Sequence, residues 1–363
     1  MIVPGMLQRA EQFTRTEIRP HVADWEAAAS YPRAAVARSG LTGLFAPVAV
    51  GGCGLGYPEA MAVFEQLGRG DAALAFSLSM HNAVAAAVAT AGGALAERWA
   101  QPLAEGRALG GFALTEPQAG SDATAITTRV DADLQRVSGR KAWVSLAGEA
   151  DLFLVVCRTG EGGGHGDIAM MAVERDQPGV AFPKLYRTAC ARFLQIGEML
   201  LDGAAGTVVA PPGAGMRAAL AAIDVARCDI AAIAAGLHAE ALDVAVAYAR
   251  SRSAFGKRLI DLQGVAFPLA DVATELEASR LLYGRAADML GTPAGTVACA
   301  HAKRHAADAA LRAAAACGEV LGAYGWLDDH RLARFLTLAK MLQVVDGTAE
   351  IQRLVIARSL DRG

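Results

Sequence analysis

The spacing of apolar residues changes twice along this chain, and that limits the folds open to it more than any other feature. Over residues 1–109 apolar positions recur at helical spacing, through Met6–Trp25, Tyr31–Ser39, Pro58–Leu67 and Ala72–Thr90. Pro and Gly mark the joints, as in Gly51-Gly52-Cys53-Gly54-Leu55-Gly56-Tyr57-Pro58. Over residues 110–212 the period shortens. Alternating or wholly apolar runs occur at Gly111–Leu114, Ile126–Asp131, Gln135–Val144, Leu152–Cys157, Ile168–Val173, Val180–Leu185 and Glu198–Leu201. Turn residues separate them, among them Gly162–Gly164, so the segment reads as β-rich. Over residues 213–363 long helical patterns return, at Met216–Ser251, Asp261–Leu290, Ala298–Leu321 and His330–Val345. The expectation is an α+β chain of three consecutive domains, 1–109, 110–212 and 213–363. This is not the strand–helix alternation of a doubly wound sheet. No GxGxxG follows a strand and no P-loop occurs, which argues against those two nucleotide-binding folds.

With 53% apolar and 20% charged residues and a net charge of −3, the sequence is that of a folded globular protein. That balance gives no reason to expect nucleic acid or an anionic membrane as partner. Ala and Gly supply much of the apolar share, and small side chains suit closely packed helices. The longest apolar run, Ala83–Ala96, carries Thr90, Gly92 and Gly93 and reads as a buried helix, so no membrane span is expected. Glu11, Arg15, Glu17 and Arg19 make the first twenty residues an amphipathic helix in character, unlike a signal peptide. The six cysteines include no CxxC pair, and reduced thiols in a cytoplasmic protein are expected.

Six segments carry more than periodicity. Phe112-Ala113-Leu114-Thr115-Glu116-Pro117-Gln118-Ala119-Gly120-Ser121-Asp122 is a strand running into a polar turn. Lys141-Ala142-Trp143-Val144-Ser145 puts a large aromatic and a hydroxyl on one strand. Asp224-Val225-Ala226-Arg227 places opposite charges at i, i+3 on one helix face, which by itself is an ion pair. Arg252-Ser253-Ala254-Phe255-Gly256-Lys257, followed by Gln263, taken alone is a solvated helix end. Cys317-Gly318-Glu319-Val320-Leu321-Gly322-Ala323-Tyr324-Gly325-Trp326 breaks a helix at glycine. Gln343-Val344-Val345-Asp346-Gly347-Thr348-Ala349-Glu350-Ile351-Gln352-Arg353 sets a carboxylate between two helical patterns. His301 and His305 share a helix face, a spacing that can bind metal. Lys303 and Arg304 lie between them without an HExxH pattern, so no metal site is expected.

In order, and over essentially the whole chain, these segments resemble the acyl-CoA dehydrogenase superfamily of flavoenzymes. The resemblance implies an N-terminal helical domain, a central β-barrel and a C-terminal four-helix bundle. It also implies noncovalent FAD and a homodimer or homotetramer. The electron acceptor would be an electron-transfer flavoprotein or O2. Phe112, Leu114, Thr115, Gly120 and Ser121 would contact the cofactor, with Thr115 at the flavin ring and Ser121 at the pyrophosphate. Trp143 would flank the flavin and Ser145 would donate toward its N5. Arg252, Phe255, Gln263, Glu319 and Gly322 would reach the neighbouring subunit's FAD, and Thr348 joins the cofactor-binding set. Asp224 and Arg227 would line the acyl-thioester channel, and Gly347 would also meet substrate. Asp346 would remove the α-proton while the flavin takes the β-hydride.

The departures from the family pattern are informative. The usual base segment is aromatic-Glu-Gly-Thr, but Val345-Asp346 stands here. Retracting a carboxylate by one methylene moves it by about an ångström, and such a displacement can cost on the order of a hundredfold in rate. Ala226 occupies the position where one branch carries its catalytic Glu, which leaves Asp346 as the carboxylate in a family-catalytic place. Leu146, Glu319, Ala323 and Thr337-Leu338 replace the usual Asn, Gln, Gly and Arg-Asp. Where CoA-using members carry Arg-x-Ser-x-Thr, this chain reads Ala191-Arg192-Phe193-Leu194-Gln195-Ile196. These differences resemble dehydrogenases that act on short polar acyl groups carried by an acyl carrier protein, including those making methoxymalonyl-type polyketide extender units. An ordinary short-chain acyl-CoA dehydrogenase and a flavin oxidase of the nitroalkane-oxidase type stay open beside that expectation.

Overall fold

Proline and glycine set where the N-terminal helices start and stop. The computed structural model describes residues 4–160 and 165–361, so the expected Gly162–Gly164 turn lies outside the described residues. The first helical pattern is interrupted by a π turn at Thr14–Ile18, which separates α1 (Pro4–Phe13) from α2 (Arg19–Ala28). Pro32 precedes α3 (Arg33–Ser39), and Gly40 ends it in the left-handed conformation, φ +65°. Next come α4 (Tyr57–Gly70), α5 (Ala72–Ala91) and α6 (Gly93–Ala104). Asp71 caps α5, accepting from the backbone N–H groups of Ala73 and Leu74 at 3.0 Å each. The periodicity had not shown α6, which carries Pro102 in its last turn.

The middle segment forms one eight-stranded sheet. Its strands are β1 (Gly110–Ala113), β2 (Arg129–Val130), β3 (Arg136–Val144), β4 (Leu152–Arg158), β5 (Ile168–Glu174), β6 (Val180–Ala181), β7 (Gly197–Ala205) and β8 (Thr207–Ala210). The order is β6-β7-β3-β2-β4-β5-β8, with β1 pairing parallel to β4, so the sheet is an open half-barrel with β6 and β8 at its ends. β4 is buried along its whole length, as a strand covered on both faces must be. Two strands are shorter than their sequence patterns. β6 stops before Pro183, whose nitrogen has no hydrogen for a ladder. β2 begins only at Arg129, because the N–H groups of Thr127 and Thr128 are taken by the Glu116 carboxylate at 2.7 and 2.9 Å.

The C-terminal part has five helices: α7 (Gly215–Ser251), α8 (Gln263–Met289), α9 (Gly295–Leu321), α10 (Leu332–Val344) and α11 (Ala349–Leu360). A hairpin of β9 (Ser253–Ala254) and β10 (Lys257–Arg258) lies between α7 and α8. α9 packs against α8, α10 and α11 through a face of small side chains, among them Ala298, Ala302, Ala306, Ala310 and Ala313.

Compactness divides the chain differently from sequence order. One unit comprises Met1–Arg9, Pro20–Gly56 and Ser77–Ala226, and the other Ala10–Arg19, Tyr57–Phe76 and Arg227–Gly363. Within the second unit α4 belongs with the C-terminal helices. Glu65 accepts from Arg280 at 2.7 Å and also from the Tyr283 hydroxyl. α4 and α7 approach so closely that a Cβ on Gly236 would stand 1.9 Å from the Glu65 carbonyl oxygen, and one on Gly68 would stand 2.3 Å from that of Ile233.

Contrary to the reading of the apolar runs, Ala72–Ala91 and Gly215–Ser251 are long and apolar enough to cross a membrane. Of their most apolar windows, 78% and 72% are buried within the protein, the condition of core helices. All six cysteines are free thiols.

The helix crossing yields a test. Gly236→Ala should lower the urea midpoint, by an amount equivalent to about 1–3 kcal/mol of overpacking. Gly264→Ala, at a position where a Cβ meets nothing within 4 Å, should leave the midpoint unchanged or raise it.

Candidate active site

The strand-edge residues of the first unit are held by a buried lysine. Lys141 on β3 is fully buried, and its Nζ donates to the Leu114 carbonyl and to Glu116 Oε1, both at 2.8 Å. Those two acceptors bracket Thr115. The Thr115 carbonyl in turn accepts from the Ala142 N–H at 2.9 Å, which sets Thr115 beside the end of β3. Burial pushes the Glu116 carboxyl up, but the Lys141 ammonium and the donors from Thr127 and Thr128 outweigh it and hold the group at about 2.

Past Lys141 the β3–β7 register shifts, and such a bulge re-aims the side chains that follow. Trp143 takes φ +57° and leaves 61% of its surface exposed, with its ring 4.7 Å from that of Tyr186. Ser145 follows, half-buried. Phe112 and Leu114 pack partly against the core of this unit, while Gly120 and Ser121 are exposed. A Cβ on Gly120 would meet nothing within 4 Å, so packing inside the chain does not require a glycine there. An exposed indole beside a hydroxyl and a strand end fits the edge and face of a flat heteroaromatic cofactor. The stretch Ala191–Ile196 offers no hydroxyl. It is a short 3₁₀ turn at Arg192–Leu194 between left-handed Ala191 and Gln195, and Phe193 and Leu194 are fully buried.

The second unit gathers Arg227, Asp346, Gly347 and Thr348. Asp346 and Gly347 take φ +51° and +94°, two consecutive left-handed residues between α10 and α11. Thr348 caps α11, its hydroxyl accepting from the Ile351 N–H at 3.4 Å. It therefore serves the helix as well as any cofactor. Arg227 is buried, and its Nε donates to the Asp346 carbonyl at 3.4 Å. Asp224, also on α7, is half-buried and belongs to the first unit.

Asp346 Oδ2 is buried and has no hydrogen-bond partner. Burial raises its carboxyl to about 6, against the opposing pull of the Lys303 and Arg227 cations. Among the described residues no hydrogen bond occupies its backbone N–H either. One residue thus presents an unsolvated carboxylate and a donor, which suits removal of a proton next to a polarised carbonyl.

Arg252, Phe255, Gln263, Glu319 and Gly322 stand apart from that cluster and are exposed. Phe255 and Gly256, φ +54° and +75°, are the two-residue tip joining β9 to β10, and Phe255 is 95% exposed. The Arg252 N–H donates to the Tyr248 carbonyl at 2.8 Å, and the Tyr248 ring lies 6.1 Å from that of Tyr324. The fourth and fifth of the six segments, at Arg252 and at Gly322, therefore meet at the end of α7. The sequence pattern gives Lys141, Lys303 and Gln352 no role of their own. The one signal in sequence was a lysine set into an Ala-rich helix face.

Models of the acyl-CoA dehydrogenase N-terminal, middle and C-terminal domains match residues 5–107, 111–204 and 213–360. The chain belongs to the acyl-CoA dehydrogenase family. This acyl-CoA dehydrogenase family member is an oxidoreductase acting on CH–CH groups. It is 33% identical to an acyl-CoA dehydrogenase of Bacillus subtilis over 98% of this chain and 97% of that one. Butyryl-CoA dehydrogenase from Megasphaera elsdenii superposes with a TM-score of 0.94 at 30% identity, covering 99% and 98% of the two chains. The prolyl acyl carrier protein oxidase AnaB superposes with a TM-score of 0.92 at 25% identity, covering 98% of each.

The raised carboxyl carries a sign. Only ionised Asp346 accepts a proton, so kcat/KM for the free enzyme should climb with pH up to about 6 and level off from there towards about 8, where Lys303 begins to lose its proton. A pH–rate profile of thioester oxidation checks this, and a limb centred near 4 would show a solvated base.

Proposed function

We propose that this chain is an FAD-dependent dehydrogenase that oxidises the α,β-bond of a short, polar acyl thioester carried by an acyl carrier protein, in polyketide extender-unit biosynthesis. The observation that carries the reaction is Asp346, whose buried Oδ2 and backbone N–H have no hydrogen-bond partner among the described residues. FAD, when bound, supplies the acceptor for the β-hydride. Asp346 takes the α-proton, and its N–H holds the thioester carbonyl, which lowers the pKa of the α-carbon. Thr115, Trp143 and Ser145 hold the flavin ring, and Ser121 holds the pyrophosphate. Phe255 and Arg252, exposed around the hairpin, reach the cofactor of a second copy of the chain, so the working unit is at least a dimer.

Three features support the narrower substrate. The base is a methylene shorter than Glu, which disfavours an ordinary fatty acyl chain. Leu194 and Ile196 stand where the Arg-x-Ser-x-Thr of CoA-using members places hydroxyls, and Leu194 is a core residue. The similarity to AnaB extends to a protein described as acting on an acyl carrier protein. A second reading, a short-chain acyl-CoA dehydrogenase, is favoured by the likeness to butyryl-CoA dehydrogenase.

Anaerobic bleaching of the bound flavin by matched acyl-CoA and acyl carrier protein thioesters separates the two. Faster bleaching by short hydroxyacyl carrier protein thioesters is expected, whereas efficient bleaching by butyryl-CoA alone would establish the second reading. Asp346→Asn should slow bleaching by about 10²–10⁴-fold. An unchanged rate would remove Asp346 as the base.

A further inference from the structure

Lys303 sits on the small-residue face of α9 and is fully buried. Its Nζ donates to the Gln343 carbonyl at 3.1 Å and to the Gly347 carbonyl at 2.6 Å. The first acceptor is in the last turn of α10 and the second follows the base directly, so the two bonds bracket Val344, Val345 and Asp346. Gln352 of α11 adds a third rung, its Nε2 donating to the same Gly347 carbonyl at 2.8 Å. Asp308, also on α9, accepts from the Gln343 side chain at 2.7 Å. Within the bracketed turn the Val345 N–H donates to the Met341 carbonyl at 3.2 Å, and Arg227 Nε to the Asp346 carbonyl at 3.4 Å. The turn lies between two helices, with Asp346 and Gly347 successively left-handed, a conformation that Asp and Gly adopt at lower cost than other residues.

We propose that Lys303 is a positioning residue: its ammonium clamps the turn that carries Asp346 and faces that carboxylate across the turn. The inference rests on Asp346 being the base. The charged groups that face Lys303 are Asp346, Arg227 from α7, Asp308 from its own helix and Glu350 from α11. Arg227 also faces Asp346 but donates to its carbonyl, so Lys303 is the cation whose donors flank the base on both sides.

The test uses full-length, FAD-loaded protein as wild type, Lys303→Met, Lys303→Arg and Asp346→Asn. Flavin bleaching by the thioester that reduces wild type fastest should slow by about 10–100-fold in Lys303→Met, with a smaller change in KM. Two readouts need no substrate. The carboxyl infrared band lost in Asp346→Asn should titrate at higher pH in Lys303→Met than in wild type, and return toward wild type in Lys303→Arg. Hydrogen exchange should accelerate in the peptide spanning residues 341–352 and not across the whole unit.

Should Lys303→Met not fold, wild type answers alone. Burial holds the Lys303 ammonium down at about 8, against the opposing pull of Asp346, so bleaching should slow and exchange in that peptide should exceed the intrinsic base-catalysed rise above that pH. A flat wild-type response to pH 10, or a Lys303→Met enzyme with an unmoved carboxyl titration, overturns the proposal. If Asp346→Asn bleaches at the wild-type rate, the base assignment fails. If Asp346→Asn is inactive while Lys303→Met is normal, only the positioning role fails.

Discussion

A lysine ammonium withdrawn from water has to find acceptors within the fold. Both fully buried lysines of this chain find backbone carbonyls next to residues of the candidate site. Lys141 takes the Leu114 carbonyl and the Glu116 carboxylate, one on each side of Thr115. Lys303 takes the Gln343 and Gly347 carbonyls, one on each side of the Asp346 turn. Neither segment could be fixed by a regular ladder, because each is where a strand or helix has just ended. The ion does what the ladder cannot: it gathers several acceptors onto one rigid anchor that already belongs to a packed strand or helix.

The same physics treats two buried carboxylates in opposite ways. Burial raises the proton affinity of both. Glu116 then receives donors from Lys141, from the N–H groups of Thr127 and Thr128, from the Thr127 hydroxyl and from Gln118, and stays ionised. Among the described residues Asp346 Oδ2 receives none. The difference between a structural and a chemical carboxylate lies in whether its lone pairs are already used.

Much of this was legible in sequence. The switch from helical to alternating spacing located the half-barrel within a few residues, since a half-buried strand and an amphipathic helix impose different periods. The motif around Asp346 pointed to the residue that the structure leaves unpartnered. What could not be read was set by contacts distant in sequence. The truncation of β2 depends on Glu116 capturing two amides more than ten residues away. The grouping of α4 with the C-terminal helices depends on Glu65 meeting Arg280 and Tyr283, and on glycines that allow α4 and α7 to touch. Lys303 looked like one more basic residue between two histidines, because nothing local says which carbonyls its ammonium will reach.

The left-handed backbone at Asp346 has a consequence for how this protein can change. Asn, Asp and Gly are the residues that accept such a conformation at low cost, and of these only Asp can take up a proton. Replacement by Asn keeps the size of the side chain and its tolerance for the turn, while removing the proton acceptor. If Asp346 is the base, as proposed, the substitution most compatible with the backbone is therefore also the one that ends catalysis. A descendant of this chain could become a folded, cofactor-holding but inert relative by a single conservative step, leaving no mark on the fold that sequence similarity would detect.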